Sequence, residues 1–158
     1  MLASDIITQL ELIAHPEGGW YREVYRSSEA IPAAGLPDRF SGPRACATHI
    51  YYLLEAEYLS HYHRIQSDEL WHFYAGEALD VHMITEQGAL EILHLNPANP
   101  FAWVPAGTWF SACVPSGAFA LCGCSVAPGF DFADFELADR QALLKEYPDL
   151  HDEILRFT

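Results

Sequence analysis

The sequence predicts a single all-β domain, residues 1–158, closed into a sandwich or barrel, with a short helix before it and short helices after it. Three observations carry this. From Ala45 onward, β-forming runs recur at about ten-residue spacing, separated by turns at Gly88, Asn96-Pro97, Gly107 and Pro115-Ser116-Gly117. No strand alternates with a helix, which argues against a parallel α/β sheet. The chain is also 51% hydrophobic over 158 residues, enough to bury a core without a disulfide or structural metal.

Taken in order, Ser4 is placed to cap a first helix, with Asp5 in its first turn and Ile6, Ile7 and Leu10 along one side, ending near Leu12. His15-Pro16-Glu17-Gly18-Gly19 is a turn by composition. WYREVYRS follows as a strand, with Trp20, Arg22, Val24 and Arg26 on one face and Tyr21, Glu23 and Tyr25 on the other. Residues 30–44 hold three prolines and two glycines and read as a surface loop or lid. The strands then follow quickly: ACATHIYYLL, two within HYHRIQSDELWHFYAG, then ALDVHMIT, ALEILHL, AWVPAG, WFSACV and AFALCGCSV. The aromatic, acidic segment APGFDFADFE leads out of the barrel. Leu143, Leu144 and Tyr147 then recur at helical spacing, Pro148 interrupts, and DLHDEILRF reads as a last short helix.

Charge narrows the function. Eight basic residues against 22 acidic give a net charge of −14. Nucleic-acid binding needs a basic footprint, and an anionic membrane surface would repel this chain. No apolar run has the length of a membrane span. The N-terminus lacks the basic region of a signal peptide, so the expected compartment is the cytoplasm. Cys46, Cys113, Cys122 and Cys124 are then expected to be reduced, and C-x-C is not zinc-site spacing. All but one of the basic residues are Arg, and Arg22, Arg26, Arg39, Arg44 and Arg64 fall in the first 64 positions. Arg suits bidentate recognition of an anion, or internal pairing with the many acids.

The polar centre is His61-Tyr62-His63, then Glu69, then Gly76. Histidines two apart on a strand share a face, and a glutamate on the adjoining strand completes a three-ligand N/O site. Further on stands Pro105-Ala106-Gly107-Thr108-Trp109-Phe110. These blocks resemble the two motifs of the cupin superfamily, whose fold is a double-stranded β-helix or jelly-roll barrel. The gap from His63 to Glu69 is one residue too long. In the second motif Phe110 stands at the His position and Val114 at the Asn position, so the fourth metal ligand is missing. The blocks HPEGGWYREVYRS, HRIQSDELWHFYAG, WVPAGTWFSA and GCSVAPGFDFADFEL are more specifically similar to a small cupin family of unknown function, and the similarity covers nearly the whole chain. That resemblance implies a jelly-roll homodimer, without an established activity. Residues 17–23 also resemble a strand of the keto-sugar 3,5-epimerases, metal-free relatives of the same fold that bind an anionic sugar; Gly18 replaces an arginine of that pattern.

The expected site follows. In a metal-free, isomerase- or epimerase-like reading, His63 is the base and Tyr74 or Tyr51 the acid. Arg22 and Arg26, with Glu23, Glu69, Trp71 and Trp109, bind an anionic, sugar-derived small molecule. The alternative is a ligand-binding or sensing cupin with the same pocket and no chemistry. The third reading is a divalent metal on His61, His63 and Glu69. His72, on the face opposite Glu69, Trp71 and Phe73, is expected either between sheets or at a dimer interface.

Overall fold

Apolar side chains alternate along the long strands after Thr48, and they place one face of each in a shared interior. The computed structural model describes residues 2–158. Its strands are β1 (Ile13–Ala14), β2 (Trp20–Arg26), β3 (Ala30–Ile31), β4 (Arg44–Ala45), β5 (Thr48–Glu55), β6 (Ser60–Arg64), β7 (Asp68–Gly76), β8 (Leu79–Ile84), β9 (Leu90–Leu95), β10 (Phe101–Val104), β11 (Phe110–Cys113), β12 (Phe119–Ala127) and β13 (Glu136–Leu137). A six-stranded sheet in the order β1-β2-β5-β12-β7-β10 faces a five-stranded sheet in the order β13-β6-β11-β8-β9, with every pairing antiparallel. This is the expected jelly roll. Tyr52, Leu54, Trp71, Val81, Phe110, Cys122 and Cys124 pack between the sheets. The four cysteines are free thiols.

Helix α1 (Ala3–Gln9) lies on the outer side of the six-stranded sheet, where Ile6 and Leu12 cover Leu53 and Phe119. It begins two residues earlier than expected, with Leu2 at the cap position in place of Ser4. Asp5, rather than Ser4, satisfies the N-terminus by accepting from the Leu2 N–H at 3.0 Å. It also ends earlier, at Gln9, because Glu11 adopts a left-handed φ of 52°. Residues 30–44 are not wholly loop: β3 and β4 pair within them. At the other end of the chain, α2 (Arg140–Glu146) is capped by Asp139, and α3 (His151–Arg156) follows Pro148. Leu143, Ile154 and Phe157 cover the outer face of the five-stranded sheet, against Tyr62, Ile84, Trp109 and Cys113. Among the described residues, no helix is long and apolar enough to cross a membrane.

Register shifts decide which side chains reach the interior. Glu23 pairs with Ile50, but Tyr25 pairs with His49 and Arg26 with Thr48. The extra residue, Val24, moves Arg26 onto the face of Tyr21 and Glu23 and leaves Arg22 on the other. In β6, Phe110 pairs with His63 and Ala112 with Ser60, so two residues of β6 oppose Ser111 alone. Ser60 and His63 therefore face the barrel together, and His61 is exposed. Both shifts are β-bulges, which reverse the alternation expected of an unbroken strand.

Candidate active site

The barrel interior, on the other side of the five-stranded sheet from the C-terminal helices, holds a cavity of about 500 Å³. Its polar floor starts with the turn after β1. Gly18 and Gly19 take φ of 111° and 75°. A Cβ on Gly18 would meet the Leu59 carbonyl oxygen at 2.1 Å, and one on Gly19 the Tyr52 hydroxyl at 2.6 Å. Only glycine permits this approach and this φ. The turn is anchored by the His61 N–H, which donates to the Glu17 carbonyl at 2.8 Å, and by the Tyr52 hydroxyl, which donates to Gly18 at 2.8 Å. The Glu17 side chain is thereby carried into the barrel, where it is 5% exposed.

Glu17 Oε2 lies 2.8 Å from His63 Nε2, and Glu17 Oε1 accepts from the Ser60 hydroxyl at 3.0 Å. The other ring nitrogen of His63 donates to the His61 carbonyl at 2.7 Å. Both nitrogens of His63 thus face acceptors, which suits the imidazolium with a proton on each. Burial opposes a charged His63, but the Glu17 charge and hydrogen bond outweigh it and raise its pKa. Burial likewise opposes the Glu17 carboxylate, and His63 outweighs it, holding Glu17 at about 2. Glu17 and His63 therefore form a buried ion pair.

Glu69, on β7, is only 8% exposed and belongs to the same cavity. Burial and the Glu17 charge push it up to about 7, against the opposing pull of His63 and the Cys124 thiol. One cavity thus holds two carboxylates whose surroundings drive their protonation far apart, the arrangement that separates acid from base roles. His15 sits beside them with its side chain 6% exposed. Its Nδ1 accepts from the Glu17 N–H at 3.2 Å, which places its proton on Nε2. Burial lowers its pKa and keeps it neutral. Among the described residues Nε2 has no partner, so it is a free donor.

The structure brings His63, Glu69, Glu23 and Arg26 of the expected set to this cavity. Arg26 is already engaged: it grips both oxygens of Glu23 at 2.8 Å and donates to the Phe130 carbonyl at 3.0 Å. The remaining expected residues lie elsewhere. Arg22 pairs with Glu11 at 2.7 Å on the outer side of the sheet. Trp71 is buried edge-on against Tyr52 and Phe110 and does not line the cavity. Trp109 packs outside the barrel under the C-terminal helices, with the Arg64 guanidinium 4.3 Å above its ring. Tyr74 points outward and meets His49 Nε2 at 2.9 Å. Tyr51 packs edge-on to Tyr74 on that outer side, and His72 Nε2 lies 3.2 Å from Ser125 Oγ there. The residues missed as site members were His15, Glu17, Tyr21 and Tyr52, and the rim aromatics Phe130, Phe132 and Phe135. The HPEGG turn was the available signal, since paired glycines beside a lone carboxylate mark a close approach.

The donors do not fit a resident metal on His61, His63 and Glu69. The bulge turns His61 away and His63 spends both nitrogens, while Phe110 stands 4.1 Å from the His63 ring where a further ligand would belong. Among the described residues, no three His, Cys, Asp or Glu side chains group to hold an ion.

Residues 4–138 match the family described as Cupin superfamily (DUF985). Protein SO0799 from Shewanella oneidensis is 37% identical, over 100% of this chain and 98% of that one, with a TM-score of 0.89. A hypothetical protein from Leishmania major is 29% identical, over 100% and 99%, with a TM-score of 0.90. Oxalate decarboxylase from Bacillus subtilis, at 13% identity, 92% and 36% coverage and a TM-score of 0.56, shares the fold alone. No curated protein matches the sequence.

Proposed function

The chain belongs to the DUF985 family of the cupin superfamily, and from that premise we propose that it is a metal-independent proton-transfer enzyme, isomerase- or epimerase-like, acting on a small carbonyl compound. The observation that carries this reading is the split between Glu17 and Glu69, held at about 2 and about 7 in one cavity. A general base works best with a pKa near the ambient pH. Glu69 meets that condition, and it takes the base role first expected of His63, whose nitrogens are both occupied.

In the proposed step, the Glu69 carboxylate removes a proton from the carbon next to the carbonyl. The C–H electron pair moves into the new C=C bond, and the carbonyl oxygen becomes an enolate stabilised by the Nε2–H of neutral His15. Return of the proton to the former carbonyl carbon of a hydroxycarbonyl substrate, with the hydroxyl proton passing to the enolate oxygen as the hydroxyl carbon becomes the new carbonyl, completes an isomerisation. Return to the same carbon of a turned intermediate completes an epimerisation. The Glu17–His63 pair keeps its charges throughout and sets the field at Glu69.

The test is solvent exchange. The protein is incubated in D2O with a panel of small hydroxycarbonyl compounds, and deuterium entering the substrate carbon is followed by NMR. Incorporation in the wild type that disappears in Glu69→Gln supports the reading. Saturable ligand binding with no exchange would make the protein a binding or sensing cupin instead.

A further inference from the structure

The walls of the cavity carry more information than its floor. Phe130, Phe132, Phe135, Tyr21 and His15 all line it. The three phenylalanines stand nearly perpendicular to one another: 84° at 4.9 Å, 77° at 5.9 Å and 66° at 6.3 Å. His15 adds an edge-on contact to Tyr21 at 4.6 Å and to Phe135 at 5.8 Å. A cation seated about 4.5 Å from two perpendicular ring faces requires centroids about 6 Å apart, which suits the two pairs that include Phe135, while Phe130 and Phe132 brace each other edge to face. Phe132 is 52% exposed, so the box opens at the rim.

Charge points the same way. Glu17, Glu23, Glu69 and Asp131 line the cavity against two cations, Arg26 and the imidazolium of His63. Both cations are already paired, Arg26 with Glu23 and His63 with Glu17. The cavity keeps an excess of negative charge, with Asp131 exposed beside Phe132. Oδ1 of Asp131 accepts from the Ala133 N–H at 2.8 Å, and Oδ2 has no partner among the described residues. Around this lies a chain of net charge −14, whose field draws cations and repels anions. An anionic ligand would find no unpaired cation here.

We propose that the cavity takes a small organic cation, an alkylated or protonated amine, held against Phe130, Phe132, Phe135 and Tyr21 with Asp131 beside it. This rests on the proposed function only in placing the ligand in the same cavity. It narrows the substrate class there to carbonyl compounds that carry an amine, and it replaces the anionic ligand expected from the arginines.

Three probes of nearly one shape test it on the full chain: choline, its neutral isostere 3,3-dimethylbutan-1-ol, and the anion 3,3-dimethylbutanoate. Binding is read by ligand-observed NMR or calorimetry. The expected result is saturable choline binding, at least about tenfold tighter than the neutral isostere, with no measurable binding of the anion. Asp131→Asn and Phe132→Leu, both at exposed positions, each weaken choline about three- to tenfold; Asp131→Asn leaves the neutral isostere unchanged and Phe132→Leu weakens it less than choline. Equal affinity for choline and the alcohol overturns the proposal, as does tighter binding of the anion or no choline binding at tens of millimolar. Deuterium exchange in the D2O assay alongside failed choline binding would leave proton transfer standing and remove only the cation.

Discussion

The five-stranded sheet carries a histidine–glutamate pair on each face, and the two behave differently. On its inner face His63 and Glu17 meet at 2.8 Å; on its outer face His82 and Glu153 meet at 2.7 Å. On the outer face Phe157 covers the His82 ring at 4.8 Å, Tyr62 donates to Glu153 at 3.2 Å, and the Cys113 sulfur lies 3.7 Å from His82 Nε2. Neither residue of that pair lines the cavity, and among the described residues Glu153 is the one carboxylate paired with His82. On the inner face the pair borders the cavity beside Glu69, which burial and then the Glu17 charge push up. A buried His–Glu pair is therefore not a site by itself. In the proposed function, the adjacent space and the second ionisable group turn its field into chemistry.

The largest expected effect separates the two faces directly. Glu69→Gln should lower deuterium exchange by roughly a hundred- to ten-thousandfold, the usual range for general acid–base catalysis, and leave the protein folded. Glu153→Gln should leave exchange unchanged. A matching loss in both variants would mean that exchange reports foldedness and not the cavity carboxylate.

Stability reverses the ranking. Breaking a buried pair leaves an uncompensated charge, so Glu153→Ala should cost about 3 kcal/mol, roughly 10 °C in Tm for a chain of this size. Glu69→Gln should cost little, since it removes a carboxylate that is already unfavourable to bury. Thermal unfolding of the two variants under one buffer checks this. No loss in Glu153→Ala would mean that the C-terminal helices are held on the sheet by their apolar contacts alone.

The pH dependence of stability separates Glu69 from the two paired histidines by window. Burial lowers the His82 pKa, but the Cys113 and Glu153 partners raise it from 6.5 to about 9. Its contribution is complete below 6.5 and fades as pH climbs through 9. Glu69 is raised from 4.5 to about 7, so the folded state holds that proton more tightly than the unfolded chain. Stability should fall as pH rises from 4.5 through 7, and then fall again toward 9. Glu69→Gln should flatten the first fall alone, and Glu153→Gln should lessen the second, to which His63, where burial is outweighed by Glu17 and the pKa also rises from 6.5, contributes the rest. Glu17, lowered from 4.5 to about 2, contributes stability that is lost on acidification across that interval.

The alternation of Glu69, Trp71 and Phe73 was legible in the sequence because β7 is regular there, and it placed Glu69 correctly inward. The His61–His63 pair was misread for the opposite reason. A bulge depends on the partner strand, and nothing within residues 60–64 announces that β11 skips a residue. Glu17 was hidden by distance, since its partners Ser60 and His63 lie more than forty positions away. The aromatic rim was visible as a composition, FDFADF. Its place over the barrel mouth depends on contacts from remote positions: Arg44 gripping Asp134 with a shortest distance of 2.6 Å, and Thr48 accepting from the Phe130 N–H at 2.9 Å.

The smallest expected effects test one of these bulges and the ligand charge together. Arg22 and Arg26 are both exposed arginines on β2 paired with glutamates, and an unbroken strand would put them on the same side. The extra residue at Val24 sends only Arg26 to the cavity. Arg22→Gln should therefore cost less than about 1 kcal/mol, as exposed ion pairs do, and leave choline affinity unchanged. Arg26→Gln keeps a donor for the Phe130 carbonyl but removes a positive charge from the rim. At a partly solvated mouth that change is worth a fraction of a kcal/mol, so choline affinity should rise about two- to threefold at low salt and lose the gain at high salt. If the two variants changed affinity equally, β2 would run without its bulge in solution. If Arg26→Gln weakened choline at every ionic strength, the guanidinium would be holding the ligand itself, and a cationic ligand would not fit the mouth.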